Sequence, residues 1–411
     1  MAKAEAHKWE WKARFRRNAF GWKSQPAITR VKQAVAEIKK VARQDAVLAA
    51  EGAVAFFERV SPALEHVDSS SGSIGTAVSH AIAELVLVIA NAPADRQTRE
   101  AWLERLWEAY QDDGMPYIES LGDHWGALCA GKEIASMWAD RLAGTVRMAW
   151  NPDPNVSCFF KGASNCLSAL IAAERYDDVL TLLDLAPHKM WHHRQYGVQA
   201  LAAQGRKAEA IQFAEETRGL TDDPVAIARA CEDVLLSSGF ADEAYRRYGL
   251  TANHGGTYLA TFRAVARKYP HKAANEILAD LVQTTPGDEG KWFAAAKDAG
   301  LYDDALALAR RMPCDPRTLT RAARDHAGRQ PAFAVGVGLL ALHWLVLGYG
   351  YDISSVDVWD AYRWTIAAAE RHGSEVEVRE RIRKMVAAEG AGERFVTKVL
   401  GRELRLPGSS P

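Results

Sequence analysis

Between residues 156 and 312 a short pattern keeps returning, and its period confines the chain to few folds. The segments are AERYDDVLTLL from Ala173, QGRKAEAIQFA from Gln204, SGFADEAYRRY from Ser238, KYPHKAANEIL from Lys268 and AGLYDDALALA from Ala299. With turns assigned to Glu174, Gly205, Gly239, Lys268 and Gly300, the intervals are 31, 34, 29 and 32 residues. Five residues after each turn stands a small or β-branched residue: Val179, Ala210, Ala244, Ala273 or Ala305. Four further on come Leu183, Ala214, Tyr248, Ile277 and Ala309. A glycine permits the left-handed turn between two helices. A small residue then lets the second helix approach the first, and a larger one fills the next groove. Such a hairpin cannot bury its apolar face alone, so consecutive hairpins must stack. The period predicts an all-α chain, an α-solenoid over 156–312.

Outside the repeats the dominant period is also helical. RVKQAVAEIKKVARQ places Val31, Val35, Ile38 and Val41 on one stripe, with Pro26 just ahead of it. TREAWLERLWEAYQ gathers Trp102, Leu103, Leu106, Trp107 and Tyr110, with Thr98 as the expected N-cap. Residues 1–150 therefore read as an N-terminal helical domain, ended by the proline break NPDPN at Asn151–Asn155. Residues 313–405 read as one more hairpin, turning near Gly328, and a charged C-terminal cap suited to the end of an array. The tail at 406–411 is expected to be disordered. Pro331–Tyr351 carries no formal charge, long enough to span a bilayer. His343, the Gly336/Gly338 pair and the lack of basic flanks favour a buried helix, with Phe333–Leu347 packed on the last hairpin.

The junctions resemble the second half of the tetratricopeptide consensus, with Gly at the turn, an aromatic two residues on and Ala three after that. Tyr176 and Tyr302 match the aromatic position, while Lys207, Ala241 and Pro270 depart from it. The first-helix Trp, Leu-Gly and Tyr are largely missing, although Trp292 takes the Leu position in the last repeat. The resemblance spans about residues 160–312. It implies a scaffold whose first helices line a groove for a protein segment. Carried over position by position, the groove residues are Lys161, Ser164, His192, Gln195, Gln199, Arg229, Asp233, Tyr258 and Lys297. The Lys and Asn pattern that clamps a C-terminal carboxylate in some chaperone cofactors is missing. The chain as a whole also resembles bacterial proteins of no known activity.

The formal net charge is −1, so the whole molecule has no strong pull toward nucleic acid or membrane. Its distribution is uneven. Residues 1–45 carry twelve Lys/Arg against four Asp/Glu, and residues 84–140 carry eleven acids against four basic residues. The arm HKWEWKARFRRNAFGWK, within residues 1–25, interleaves Trp9, Trp11 and Trp22 with Lys12, Arg14, Arg16, Arg17 and Lys23. Cations neutralise phosphates while aromatics stack on bases, so the arm could hold nucleic acid. The same pattern describes an amphipathic anchor helix on the chain's own acidic block or on a protein partner, the favoured reading, or on a membrane surface.

Candidate chemistry is sparse. Five widely spaced cysteines without a Cys-x-x-Cys pair suggest neither a disulfide framework nor a cysteine-based zinc site. With no apolar signal segment at the start, a cytoplasmic chain is expected. His188 and His192 lie one helical turn apart and could share zinc. No Glu follows the first His, however, and Pro187 reads as a helix start with His188 in its first turn. Asp68–Thr76 is rich in small hydroxylated residues before a helix expected near Thr76, a capped turn rather than a phosphate loop. Acid pairs Asp112/Asp113, Asp177/Asp178 and Asp303/Asp304 read as loop or first-turn residues. The sequence points to no catalytic residue, cofactor or metal ligand. It is read as a non-enzymatic scaffold or adaptor with a protein partner and no membrane partner. The alternatives are a nucleic-acid-associated subunit of a bacterial complex and an enzyme with a dispersed site.

Overall fold

A computed structural model describes residues 7–151, 153, 158–217, 223–390 and 394–406. Most of the NPDPN break and the tail from 407 onward lie outside the described residues. All regular elements among the described residues are helical, and the chain forms two compact units divided between Ser238 and Gly239.

The first unit opens with a 3-10 turn, Trp11–Arg14, followed by α1 Ser24–Ala42, α2 Ala46–Leu64, α3 Ser73–Ala90 and α4 Arg96–Gln111. After a second 3-10 turn, Glu119–His124, come α5 Trp125–Cys129, α6 Lys132–Ala149, α7 Ala163–Ala172, α8 Tyr176–Leu185, α9 Trp191–Ala203, α10 Lys207–Glu215 and α11 Pro224–Leu236. The helix starts follow local chemistry. Asp45 accepts a hydrogen bond from the Leu48 amide at 2.9 Å, and Asp95 from that of Thr98 at 2.7 Å. Asp95 rather than the expected Thr98 therefore caps α4, because the helix starts two residues before Thr98. The helix after Asp68 begins at Ser73, not Thr76, with Gly72 in the left-handed region at φ 69°.

Ala-rich α2 is buried along most of its length. At Gly52 the missing side chain leaves room for the indole of Trp9, which any Cβ there would overlap. Trp11 and Phe15 pack edge-on against Phe56, and the Glu10 and Trp11 amides donate to the Glu37 carboxylate at 2.8 and 3.2 Å. The arm is thus a short turn docked on α1 and α2, not an amphipathic helix on the acidic block. Arg105 binds Glu58 through two hydrogen bonds and Glu51 through a third, tying α4 to α2. Arg99 is buried and closes the end of α3, donating to the carbonyls of Ile89 and Ala92 at 2.5 and 2.7 Å. A cation there meets the negative end of the helix dipole. α3 is long and apolar enough to cross a bilayer by length and composition, and the sequence reading had not singled it out. In this fold Ile74, Val78, Ile82, Leu85 and Ile89 are buried, and α3 packs on α1 and α2.

The hairpins turn within a few residues of all five expected places, four of them through a left-handed residue. Glu174, Gly205, Gly239 and Gly300 all take left-handed φ, between 59° and 79°. Val179, Ala210, Ala244 and Ala305 are fully buried, as are Ala214 and Ala309, and Leu183, Ile211, Tyr248 and Ile277 are buried. Lys268 is the exception. It is the last residue of its helix, and the chain turns over Tyr269–Ala273, so Ala273 becomes an exposed helix-start residue. Pro270 accounts for this, since it disfavours helix at Tyr269 and holds the turn open.

The second unit comprises α12 Ala241–Ala244, a π turn Tyr245–Gly249, α13 Leu250–Ala252, α14 Tyr258–Lys268, α15 Ala274–Gln283, α16 Phe293–Asp298 and α17 Tyr302–Arg311. It continues with α18 Pro316–His326, α19 Pro331–Val346, α20 Ser355–His372, α21 Glu375–Ala387 and α22 Phe395–Leu400. Gly249 in the π turn lies against the Tyr269 ring, where a Cβ would stand 3.0 Å from it. The apolar stretch after Pro331 is a buried helix packed on α17, α18 and α20. Phe333 meets Tyr302 at 4.7 Å, and the Trp344 indole donates to the Ala309 carbonyl at 2.9 Å. Gly336 sits against half-buried Leu306 and Gly338 against Thr365, so both glycines serve close helix contact.

Candidate functional site: a cavity in the first unit

The first unit contains a cavity of 930 Å³. It is lined by the end of α4 and the 3-10 turn after it, with Tyr110, Glu119 and Asp123, and by Trp150, Phe160 and the histidines near the start of α9. Lys161 and Ser164 belong to the lining too, as do Gly75 and Ser79 of α3.

A reciprocal clasp sets the first corner. Lys161 Nζ donates to the Tyr110 and Asp113 carbonyls at 2.7 and 2.8 Å and lies 4.9 Å from the Tyr110 ring. The Tyr110 hydroxyl in return donates to the Lys161 carbonyl at 2.8 Å. These carbonyls lie at the end of α4, where a cation offsets the helix dipole. The Lys161 ammonium is therefore held by backbone carbonyls, which fix its position but leave its charge in place.

Acid residues dominate the field beside it. Tyr196 donates to Asp123 Oδ1 at 2.8 Å, and Ser168 donates to the Asp123 carbonyl at 2.9 Å. Burial raises the Tyr110 hydroxyl far above the usual tyrosine range, and Glu119, Asp123 and Asp113 raise it further. Tyr196 is raised for the same reasons, burial first and then Asp123. Both phenols stay protonated donors. Asp113 is buried and satisfied by Ser61 and by the Ile118 amide. Among the described residues no cation pairs with Glu119 or Asp123.

The helix starts at Trp191, so His188 falls outside it rather than in its first turn, and the one-turn spacing with His192 is not helical. Among the described residues no three His, Cys, Asp or Glu side chains cluster to hold a metal. His193 packs on Trp150 at 4.9 Å and on His192 at 3.9 Å. Desolvation, and then His192, lowers its pKa to about 3, so it is neutral under ordinary conditions.

Of the nine groove residues taken from the sequence, Lys161, Ser164 and His192 line this cavity. Gln195 is half-buried and donates to the His192 carbonyl at 2.9 Å, while Gln199 is exposed farther along α9. Arg229 and Asp233 are exposed on α11. In the second unit, Tyr258 packs on Trp292 at 4.8 Å and Lys297 is half-buried near the end of α16. Of the arm residues, Trp9 and Trp11 are buried and not free to stack on bases. Trp22 is 72% exposed, and Lys12, Arg14, Arg16, Arg17 and Lys23 are exposed.

Tyr110, Glu119, Asp123, Trp150 and Tyr196 escaped the sequence reading. The available signal was Glu119 and Asp123 at i and i+4 in a segment without apolar periodicity, between two tryptophan-rich helices.

Two shallower clefts in the second unit, of 390 and 660 Å³, are lined by charges that answer one another. Asp242 pairs with Lys272 at 3.1 Å and His271 at 3.4 Å, and Tyr245 donates to Asp280 at 2.7 Å. Comparison with protein-family models, curated proteins and solved structures finds no match to this chain.

Proposed function

We propose that the chain is a non-enzymatic cytoplasmic adaptor holding a segment of a protein partner, and that the segment enters the first-unit cavity. The observation carrying this reading is that Lys161, Ser164 and His192, expected from the sequence to line a groove, meet around one 930 Å³ space. The periodic hairpins with left-handed turns support a tetratricopeptide-like scaffold. The cavity's polar groups are largely occupied in holding its walls, Lys161 on carbonyls and Asp123 on Tyr196, which suits recognition better than turnover. The test is affinity purification from the native cell with the wild-type chain and with Ser79→Trp or His192→Trp, both at exposed positions on the cavity wall. A protein retained by the wild type is expected to be lost with either plug. Retention of the same set by both variants would overturn the adaptor reading.

A nucleic-acid role has one observation in its favour, exposed Trp22 among exposed basic side chains. Deleting residues 1–25 cannot test it cleanly, because Trp9, Trp11 and Phe15 belong to the core. Trp22→Ala combined with Arg16→Glu and Arg17→Glu leaves that core intact. On this reading the triple variant loses salt-dependent binding to single-stranded nucleic acid.

A further inference from the structure

We infer that the cavity recognises an organic cation, the arginine or lysine side chain of the partner segment. This inference rests on the adaptor reading for its partner, though not for its chemistry.

The argument is one of charge and surface. Glu119 and Asp123 stand on the lining without a cationic partner among the described residues, and buried Asp113 adds its charge behind Tyr110. Lys161, the only lysine on the lining among the described residues, directs its ammonium at the Tyr110 and Asp113 carbonyls. His193, also on the lining, is uncharged, held between Trp150 and His192. The aromatic surface open to a guest is half-buried Phe160 and Phe159, 86% exposed at the rim, while Tyr110 and Trp150 are buried behind them. Aromatic faces attract a guanidinium or ammonium through the ring quadrupole, and carboxylates nearby select it over neutral guests. An acidic guest would meet like charge at Glu119 and Asp123. In the second-unit clefts Asp242 is paired with Lys272 and Glu243 with Arg246.

The test uses the full chain and two blocked peptides, Gly-Ser-Arg-Ser-Gly and the same sequence with citrulline for arginine. Citrulline keeps the shape and removes the charge. Binding is measured by calorimetry at low salt. The arginine peptide is expected to bind about tenfold tighter than the citrulline peptide, the combined margin of a cation–π contact and the two carboxylates. Glu119→Gln and Asp123→Asn, which retain shape, should each remove most of that margin, and raised salt should do the same because both carboxylates are exposed. Equal binding of the two peptides, no saturable binding of either, or a margin indifferent to both substitutions would overturn the inference. If the plug variants lose a partner while the peptides fail this test, the adaptor reading survives alone. If the peptides pass and the plugs lose nothing, the cation site survives alone.

Discussion

At the scale of single residues, stability in the first unit turns on whether buried polar groups are satisfied. Arg99 is buried and satisfied, with two carbonyls capping α3. Asn165 is not. It is fully buried in α7, and among the described residues both of its amide atoms lack a hydrogen-bond partner. It faces Gly122, where a Cβ would stand 2.9 Å from Asn165 Oδ1 and 3.2 Å from the Tyr110 hydroxyl. A buried unpaired amide costs about 1–3 kcal/mol, and an apolar group of the same shape avoids that cost. Asn165→Leu is therefore expected to raise the urea midpoint with unchanged slope. A lower midpoint would show that the amide has a partner, such as ordered water. His193 supplies the acid sensitivity. An unfolded histidine titrates near 6.5, whereas this one, facing Trp150 and His192, stays neutral down to about 3. Between those values the unfolded chain holds one more proton. Stability therefore falls as pH drops below about 6.5, by up to about 1.4 kcal/mol per unit. His193→Phe should flatten that part of the stability curve in acid titrations followed by circular dichroism.

At the scale of elements, the turn between α7 and α8 invites a sharper test. Glu174 adopts φ 59°, a region that favours glycine, whereas Gly205 occupies the matching turn at φ 79°. Glu174 is also paired with Lys132, but both side chains are more than half exposed, and such pairs contribute little. Glu174→Gly should raise thermal stability by a few tenths to about 1 kcal/mol, and Gly205→Ala should lower it by a similar amount. Opposite signs in melting experiments would refute this account of the turns. These elements also show what the sequence made legible. Glycine at a turn and alanine five residues later are backbone and packing requirements, and they are written locally. Lys268 misled because Pro270 relocates the turn by a local rule that the repeat alignment overrode. The burial of Trp9 depends on Gly52 and that of Trp11 on Phe56, each more than forty residues away, and no local pattern records either contact. The cavity was legible only at its groove positions. Tyr110, Asp123 and Trp150 come from elements outside the repeats, and their meeting is a property of tertiary packing.

At the scale of the molecule, the chain divides its contacts unevenly in sequence. Hairpin partners such as α9 and α10 are near neighbours along the chain, and so are α18 and α19. The cavity is held by longer closures: Tyr110 with Lys161 spans 51 residues, and Asp123 with Tyr196 spans 73. Loop-closure entropy must be overcome before such contacts stabilise anything, whereas local helix pairs form early. The hairpins are therefore expected to assemble first and the cavity walls to meet late, after the folding barrier. Tyr196→Phe removes the longer closure while leaving the ring packed. It should accelerate unfolding several-fold and leave the refolding rate nearly unchanged, as stopped-flow kinetics would record. The cavity would then be the last part of the first unit to form and the first to open.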